Sequence, residues 1–299
     1  MKKRPVADFI EVVENRYPGL LDKIKARIEK SEREYVGKDG GESHLWEHTV
    51  QVASLAFQLA KAEKTNPLLP TVAALIHDAG KFSGGRLHSR PRAEEEDAVR
   101  IGTPILRRFG LGARDIRSIS AGLRSLYRQG ARKNRLADIV HDADFLSKFG
   151  ALGVANFFIK STLRGETLEN AISGSLSKEL TYAACLPSNM RTAAGRRLAE
   201  KKSRDSLGFF RSLLRELRQM RAMDFRISRH LVAAASRHGD SVEIRLVLPR
   251  SCRKCGSKWT TAFRTERGIK CEKLEAEILC PRCGHHSNIC FCLPEITHL

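Results

Sequence analysis

Apolar side chains return every third or fourth residue through most of this chain, the pattern of helices that bury one face. Over residues 1–43, Phe9, Val12, Val13, Leu20, Leu21, Ile24 and Ile28 predict an amphipathic helical segment that closes into a Gly-rich turn at 37–41. A helix over 47–64 is stopped by Asn66-Pro67, and another over 71–79 by Gly80. Further helices are predicted over 94–109, 115–127, 136–149 and 154–163, then a long basic one from Arg191 towards Arg221. Period-two alternation appears only near the end, at Val242, Ile244, Leu246 and Leu248, and Pro249 is expected to stop that strand. The expected fold class is therefore mainly α: an N-terminal helical segment (1–43), a helical bundle (44–222), a linker helix and strand (223–249) and a small β-rich module (250–299).

Composition narrows the setting. With 299 residues, 41% of them hydrophobic, the chain suffices for one large core and an appendage. The longest apolar run, near 151–159, is about half of what a membrane helix needs. Asp8, Glu11 and Glu14 interrupt any apolar signal segment, so a cytoplasmic protein with no membrane contact is expected. Net charge is +19 and locally concentrated, with nine cations against Asp115 between Arg107 and Arg135, and a second dense stretch from Arg191 to Arg229. Such excess attracts polyanions by counterion release, although arginine-rich solvated helices look the same on charge alone.

The densest candidate chemistry is His77-Asp78, inside Ala73-Ala74-Leu75-Ile76-His77-Asp78-Ala79-Gly80-Lys81. Imidazole and carboxylate together suit Mn, Fe, Co, Ni or Zn better than Ca or Mg. Adjacent residues on a helix diverge by about 100°, so consecutive ligands fit best at a helix end. His48 opens another helical pattern, and His141-Asp142-Ala143-Asp144-Phe145-Leu146 supplies further acids. Asp142 and Asp144 lie on different helix faces, so one of them faces such a site and the other is left to capping or support.

This ordered set resembles the HD-domain metal-dependent phosphohydrolases. The resemblance rests on His48-Thr49-Val50, Ala74 through Lys81, Asp142 through Leu146, and Phe149-Gly150-Ala151-Leu152-Gly153, and extends to Met190 through Glu200. It implies a helical metal centre held by His48, His77, Asp78 and Asp144, with Asp142 in reserve. Many members carry another histidine where this chain has Arg124-Ser125, which implies a single metal and leaves Arg124 to grip a phosphate. The chemistry implied is hydrolysis by a metal-activated water, with Asp78 orienting that water or taking its proton. Lys81, Arg86, His88 and Arg90 are candidates for neutralising a phosphate, and Lys81 is equally suited to capping a helix C-terminus.

Seven of the eight cysteines lie between Cys252 and Cys292; the other, Cys185, reads as a core thiol. Cys252-Arg253-Lys254-Cys255-Gly256 and Cys280-Pro281-Arg282-Cys283-Gly284 have the form of two zinc knuckles, with strands expected around 259–265 and 276–279. Four thiolates close a tetrahedral site, so this zinc is expected to be structural, and the module a zinc ribbon. Cys271, Cys290 and Cys292, near His285, His286 and His298, are surplus ligands or a second site. Lys254, Lys258, Trp259, Arg264, Arg267 and Lys270 fit contacts to a nucleic-acid strand, a protein partner or a second copy of the chain, and equally a plain solvated face. The leading expectation is a phosphohydrolase or phosphodiesterase acting on a nucleotide or nucleic acid (RNA or DNA). The alternative is a non-catalytic RNA- or DNA-binding factor on the same scaffold.

Overall fold

In the computed structural model of the chain, the N-terminal segment is two helices, α1 (Pro5–Arg16) and α2 (Leu20–Val36). Pro18 breaks the run and Gly19, at φ +79°, turns the backbone. Glu14 closes this corner by accepting the N–H groups of Gly19 (2.8 Å) and Leu21 (3.2 Å). The structure describes residues 5–36, 44–82, 94–126, 134–163, 165–222, 232–238, 241–252, 254–265 and 273–292. The predicted turn at 37–41 lies outside them. Two units divide the chain: Met1–Val154 with Leu186–Asp205, and Ala155–Cys185 with Ser206–Leu299. This division runs through helices.

In the first unit, α3 (His44–Ala62), α4 (Leu68–Ile76) and α7 (Arg135–Ser147) pack on one another. α4 is apolar on every side, and Pro70 through Ile76 are all buried, as expected of a helix inside a bundle. Asn66 starts it by accepting the Leu68 N–H at 2.9 Å. α5 (Glu94–Arg108) and α6 (Ala113–Arg124) pack together and against α4. Gly80 was expected to stop the preceding helix, yet α4 ends at Ile76 and Gly80 has a different task. A Cβ there would stand 2.7 Å from the Ala98 nitrogen and 2.8 Å from the Glu94 carbonyl oxygen, so glycine lets α5 come against the turn after α4.

α8 (Gly150–Leu163) begins four residues earlier than predicted, and α9 (Leu168–Asn189) was not predicted at all. Ser173, Gly174, Ser175 and Ser177 dilute its apolar period, and Pro187 lies inside it. α10 (Ala193–Gln219) begins in the first unit, where two carboxylates receive its N-terminal N–H groups. Asp142 accepts from Arg191 (2.9 Å) and Thr192 (2.7 Å), and Glu63 from Ala194 (2.6 Å). In the second unit, Phe157 of α8 meets the buried Phe210 of α10 edge-on at 5.8 Å.

The C-terminal strands form two antiparallel sheets, β1 (Val232–His238), β2 (Ser241–Ser251) and β3 (Lys258–Thr265) in one, β4 (Lys273–Leu279) and β5 (His286–Cys292) in the other. Two expectations change here. Residues 232–238, assigned to a linker helix and strand, pair with β2 from Val232↔Val247 to His238↔Ser241. Pro249 does not stop β2, because it stays in register with Thr260 of β3. Among the described residues β1 pairs with β2 as far as Val247, and the described partner of Pro249 is Thr260. Among the described residues, no helix is long and apolar enough to cross a membrane.

Candidate metal centres

His48, His77, Asp78 and Asp144 converge from three helices of the first unit. His48 sits in the second turn of α3, His77 and Asp78 in the turn that follows α4, and Asp144 on α7. Backbone bonds from Ala79 to Ile76 (3.1 Å) and from Lys81 to Asp78 (3.0 Å) hold that turn tight, so two neighbouring side chains reach one point beyond the helix end. His48 Nε2 lies 3.3 Å from Asp144 Oδ1 and 3.6 Å from Asp78 Oδ2; His77 Nε2 lies 3.9 and 3.7 Å from the same two oxygens. Ligands about 2.1 Å from a shared ion stand about 3–3.4 Å apart; His48, His77 and Asp78 form a group able to hold an ion, and Asp144 Oδ1 lies beside its two histidines.

The hydrogen bonds behind the rings fix which nitrogen is bare. His77 Nδ1 donates to the Ala74 carbonyl at 2.7 Å, which leaves Nε2 a lone pair; that atom is buried with no hydrogen-bond partner. Ser147 Oγ gives its proton to the Asp144 carbonyl (2.7 Å), so toward His48 Nδ1, 3.4 Å away, it accepts. In their neutral forms the two rings turn Nε2 toward the carboxylates, the arrangement of metal-ligating histidines. Burial lowers the His48 pKa against the opposing pull of Asp144 and Asp78, which keeps the ring neutral and able to ligate. A buried lone pair with no donor nearby is costly unless a cation meets it.

Known proteins resemble this chain over the same helices. Residues 45–148 match the family model for the HD domain. Over those residues the chain is similar to HD domains. It is 27% identical to YpgQ of Bacillus subtilis over 189 residues, 60% of this chain and 87% of the relative. The crystal structure of selenomethionine-labelled YpgQ aligns with a TM-score of 0.50 and 22% identity, covering 69% of this chain and 97% of that one. A structure described as a predicted HD superfamily hydrolase, from an uncultured Thermotogales bacterium, gives a TM-score of 0.50 and 20% identity over 69% and 98%. An HD domain implies a divalent metal, and the bare Nε2 atoms and two carboxylates of this one suit such an ion.

Two lysines neutralise the HD carboxylates. Lys81 Nζ lies 2.8 Å from Asp78 Oδ2, the same oxygen that faces the histidines. Lys148 Nζ lies 2.8 Å from Asp144 Oδ2 and leaves Oδ1 to face them. Burial alone would raise both carboxyls; Lys81 beside Asp78, Lys148 beside Asp144 and the two histidines together outweigh it and hold both below the usual carboxylate range. Burial likewise works against the Lys81 charge, and Asp78 overrides it, lifting the ammonium to about 12. Lys148 and Ser147 escaped the sequence reading. The only signal was spacing: Lys148 stands one turn after Asp144, where opposite charges meet on a helix.

The other sequence candidates fall elsewhere. Asp142 is fully buried but turned to α10: besides the two backbone N–H groups it accepts from Thr192 Oγ1 at 2.7 Å, and it lies 3.0 Å from His141 Nδ1. It supports the bundle and does not face the HD ligands. Arg124 Nε pairs with both oxygens of Glu96 (2.9 and 3.0 Å) on an exposed surface between α6 and α5. Arg86, His88 and Arg90 lie outside the described residues.

In the second unit Cys252, Cys255, Cys280 and Cys283 form one cluster, with Sγ atoms 3.6 Å apart for Cys252–Cys283 and 3.7 Å for Cys255–Cys280. The two knuckles are built alike. Gly256 donates to the Cys252 carbonyl and Gly284 to that of Cys280, each at 2.9 Å; the glycines hold φ of +69° and +65°. Burial works to raise the Cys252 thiol, but backbone N–H groups of Cys255 and Lys254 bring it down to about 6. The donor set suits a thiophilic ion in a closed tetrahedral site. Cys271, His298 and the side chains of Cys185, Cys290 and Cys292 lie outside what the structure describes, and His285 and His286 are exposed.

Proposed function

We propose that the protein is a metal-dependent phosphohydrolase that cleaves a phosphate ester in a nucleotide or nucleic acid. The buried Nε2 of His77, with no hydrogen-bond partner among the described residues and two carboxylates facing it, carries this reading, because a divalent ion there would meet nitrogen and carboxylate oxygens together. His48, His77, Asp78 and Asp144 would hold one divalent transition ion of the Mn, Fe, Co, Ni or Zn class. Such an ion lowers the pKa of bound water towards about 7 and polarises a phosphoryl oxygen.

The surrounding residues do the rest. Asp144 is held by Lys148 through one oxygen, so the other keeps its direction toward the histidines. Asp78 has a carboxylate oxygen aimed at the same point and is the group to orient the attacking water or accept its proton. Its acceptor Oδ2 is occupied by Lys81. An ion on Asp78 would loosen that pair and free the ammonium for a phosphate oxygen of the substrate. The four-cysteine centre is read as a structural zinc site, since four thiolates leave no position open for substrate.

The test is a screen of generic phosphomonoesters and phosphodiesters with each metal in turn, run on the wild type and on His77→Ala/Asp78→Ala. Metal-dependent hydrolysis that the double variant loses is the expected result. Equal rates in the two proteins would instead favour a binding factor built on an inert HD scaffold.

A further inference from the structure

α10 carries a pattern that neither metal centre uses. Arg197, Lys201, Arg204, Gly208, Arg211, Arg215 and Arg218 follow one another at alternating intervals of four and three residues. At about 100° per residue they share one side of the helix, and the row is roughly 30 Å long. All seven positions are exposed, while Ala199, Ser203, Ser206, Phe210, Leu214 and Leu217 are buried on the other side.

Two observations separate this row from an ordinary solvated face. α2 shows the ordinary case: Lys25 and Arg33 lie 3.7 and 3.9 Å from Glu29, and Lys30 lies 3.9 Å from Glu34. Along the α10 row, among the described residues, Lys201 alone has such a partner, Asp205 at 3.0 Å. Its neighbours one turn apart are instead like-charged, Arg197 with Lys201 and Arg211 with Arg215, an arrangement that weakens a helix. The second observation is Gly208. Nothing lies within 4 Å of where its Cβ would stand, so packing does not require glycine at the middle of this helix. Glycine there costs helix stability relative to alanine. What it offers is close approach to the backbone for whatever lies along the cations.

We propose that this face of α10 is a docking track for the phosphate backbone of a nucleic acid. A duplex carries a charge about every 1.7 Å of its axis, so a cation on every turn meets phosphates along the whole row. The arginine fork suits phosphate oxygens, and no aromatic side chain interrupts the row, so the track holds charge without reading bases. This deepens the proposed function, on which it rests for the role of the bound strand; binding itself is measured apart from hydrolysis.

The experiment uses the full chain in the His77→Ala/Asp78→Ala background, so that nothing is consumed. Anisotropy of labelled RNA duplex, DNA duplex and single strands is followed against potassium chloride. Arg204→Gln/Arg211→Gln/Arg215→Gln is expected to weaken binding about tenfold or more and to lower the salt slope by about two to three. Glutamine preserves helix propensity, and far-UV circular dichroism checks that the fold is kept. The matching Arg→Lys variant should keep the slope, and Lys25→Gln/Lys30→Gln/Arg33→Gln on α2 should leave affinity and slope unchanged. If the glutamine variant loses helicity, Gly208→Glu, which sets a carboxylate in the row, is expected to weaken binding about fivefold or more, and unchanged binding by it counts against the track. Unchanged binding by the folded glutamine variant, an equal loss in the α2 control, or binding to phosphatidylserine vesicles with none to nucleic acid would each overturn the proposal. In the active background, the glutamine variant should hydrolyse a small chromogenic phosphodiester at the wild-type rate. A chain that binds through the row but hydrolyses nothing counts against the hydrolase reading alone.

Discussion

The Nε2 atom of His77 shows how a single residue is prepared. The Ala74 carbonyl accepts a hydrogen bond from Nδ1–H, and the buried Nε2 faces two carboxylates. His77→Ala is therefore expected to lower affinity for Mn or Zn about a hundredfold, read by titration calorimetry, with little loss of metal-free stability because the ring makes one hydrogen bond. The carboxylates give a pH signature in the metal-stripped protein. Asp144 has a depressed folded pKa, so its contribution is present above the unfolded value near 3.8 and is lost as pH falls through the folded one. Lys81 has a raised one, so its contribution is complete below 10.5 and is lost as pH climbs through about 12. Thermal melts from pH 2 to 6 should fall more steeply for wild type than for Asp144→Asn; identical acid limbs would mean that Asp144 is not held by Lys148 and the histidines.

At the scale of elements, the turn after α4 sets His77 and Asp78 beside His48, and Asp142 holds the start of α10. Gly80→Ala would drive a methyl group into the first turn of α5 and is expected to cost about 1–3 kcal/mol, measured by denaturant unfolding. Asp142→Ala removes one residue that satisfies Arg191, Thr192 and the Thr192 hydroxyl, leaving buried donors unpaired; a loss of about 3 kcal/mol or more is expected. Metal affinity should survive this change, because Asp142 serves α10. A full loss of metal binding in the still-folded variant would return Asp142 to the ligand set. The sequence left Asp142 and Asp144 as rivals two residues apart. Deciding between them needed α10, whose N-terminus arrives from about 50 residues downstream.

For the molecule as a whole, the two candidate metal centres are expected to respond differently to chelation. A strong chelator under reducing conditions should remove the ion from the cysteine cluster and expose the chain beyond residue 250 to protease, while the helices before it resist. Mass mapping of the fragments checks this; cleavage spread evenly over the chain would show that the HD ion also holds the fold. Helices α3, α4 and α7, the consecutive pair His77-Asp78 and the two knuckles are legible in the sequence, because periodicity, consecutive ligands and Cys-x-x-Cys-Gly spacing are local signals; His48 and the choice of Asp144 over Asp142 came from the family resemblance. What the tertiary structure decided is long-range. It turned Asp142 away and Asp144 inward, set Lys81 and Lys148 on the carboxylates, gave Arg124 to Glu96, and paired residues 232–238 with β2. Each of these depends on which distant element arrives beside a side chain, and local patterning carries no record of that.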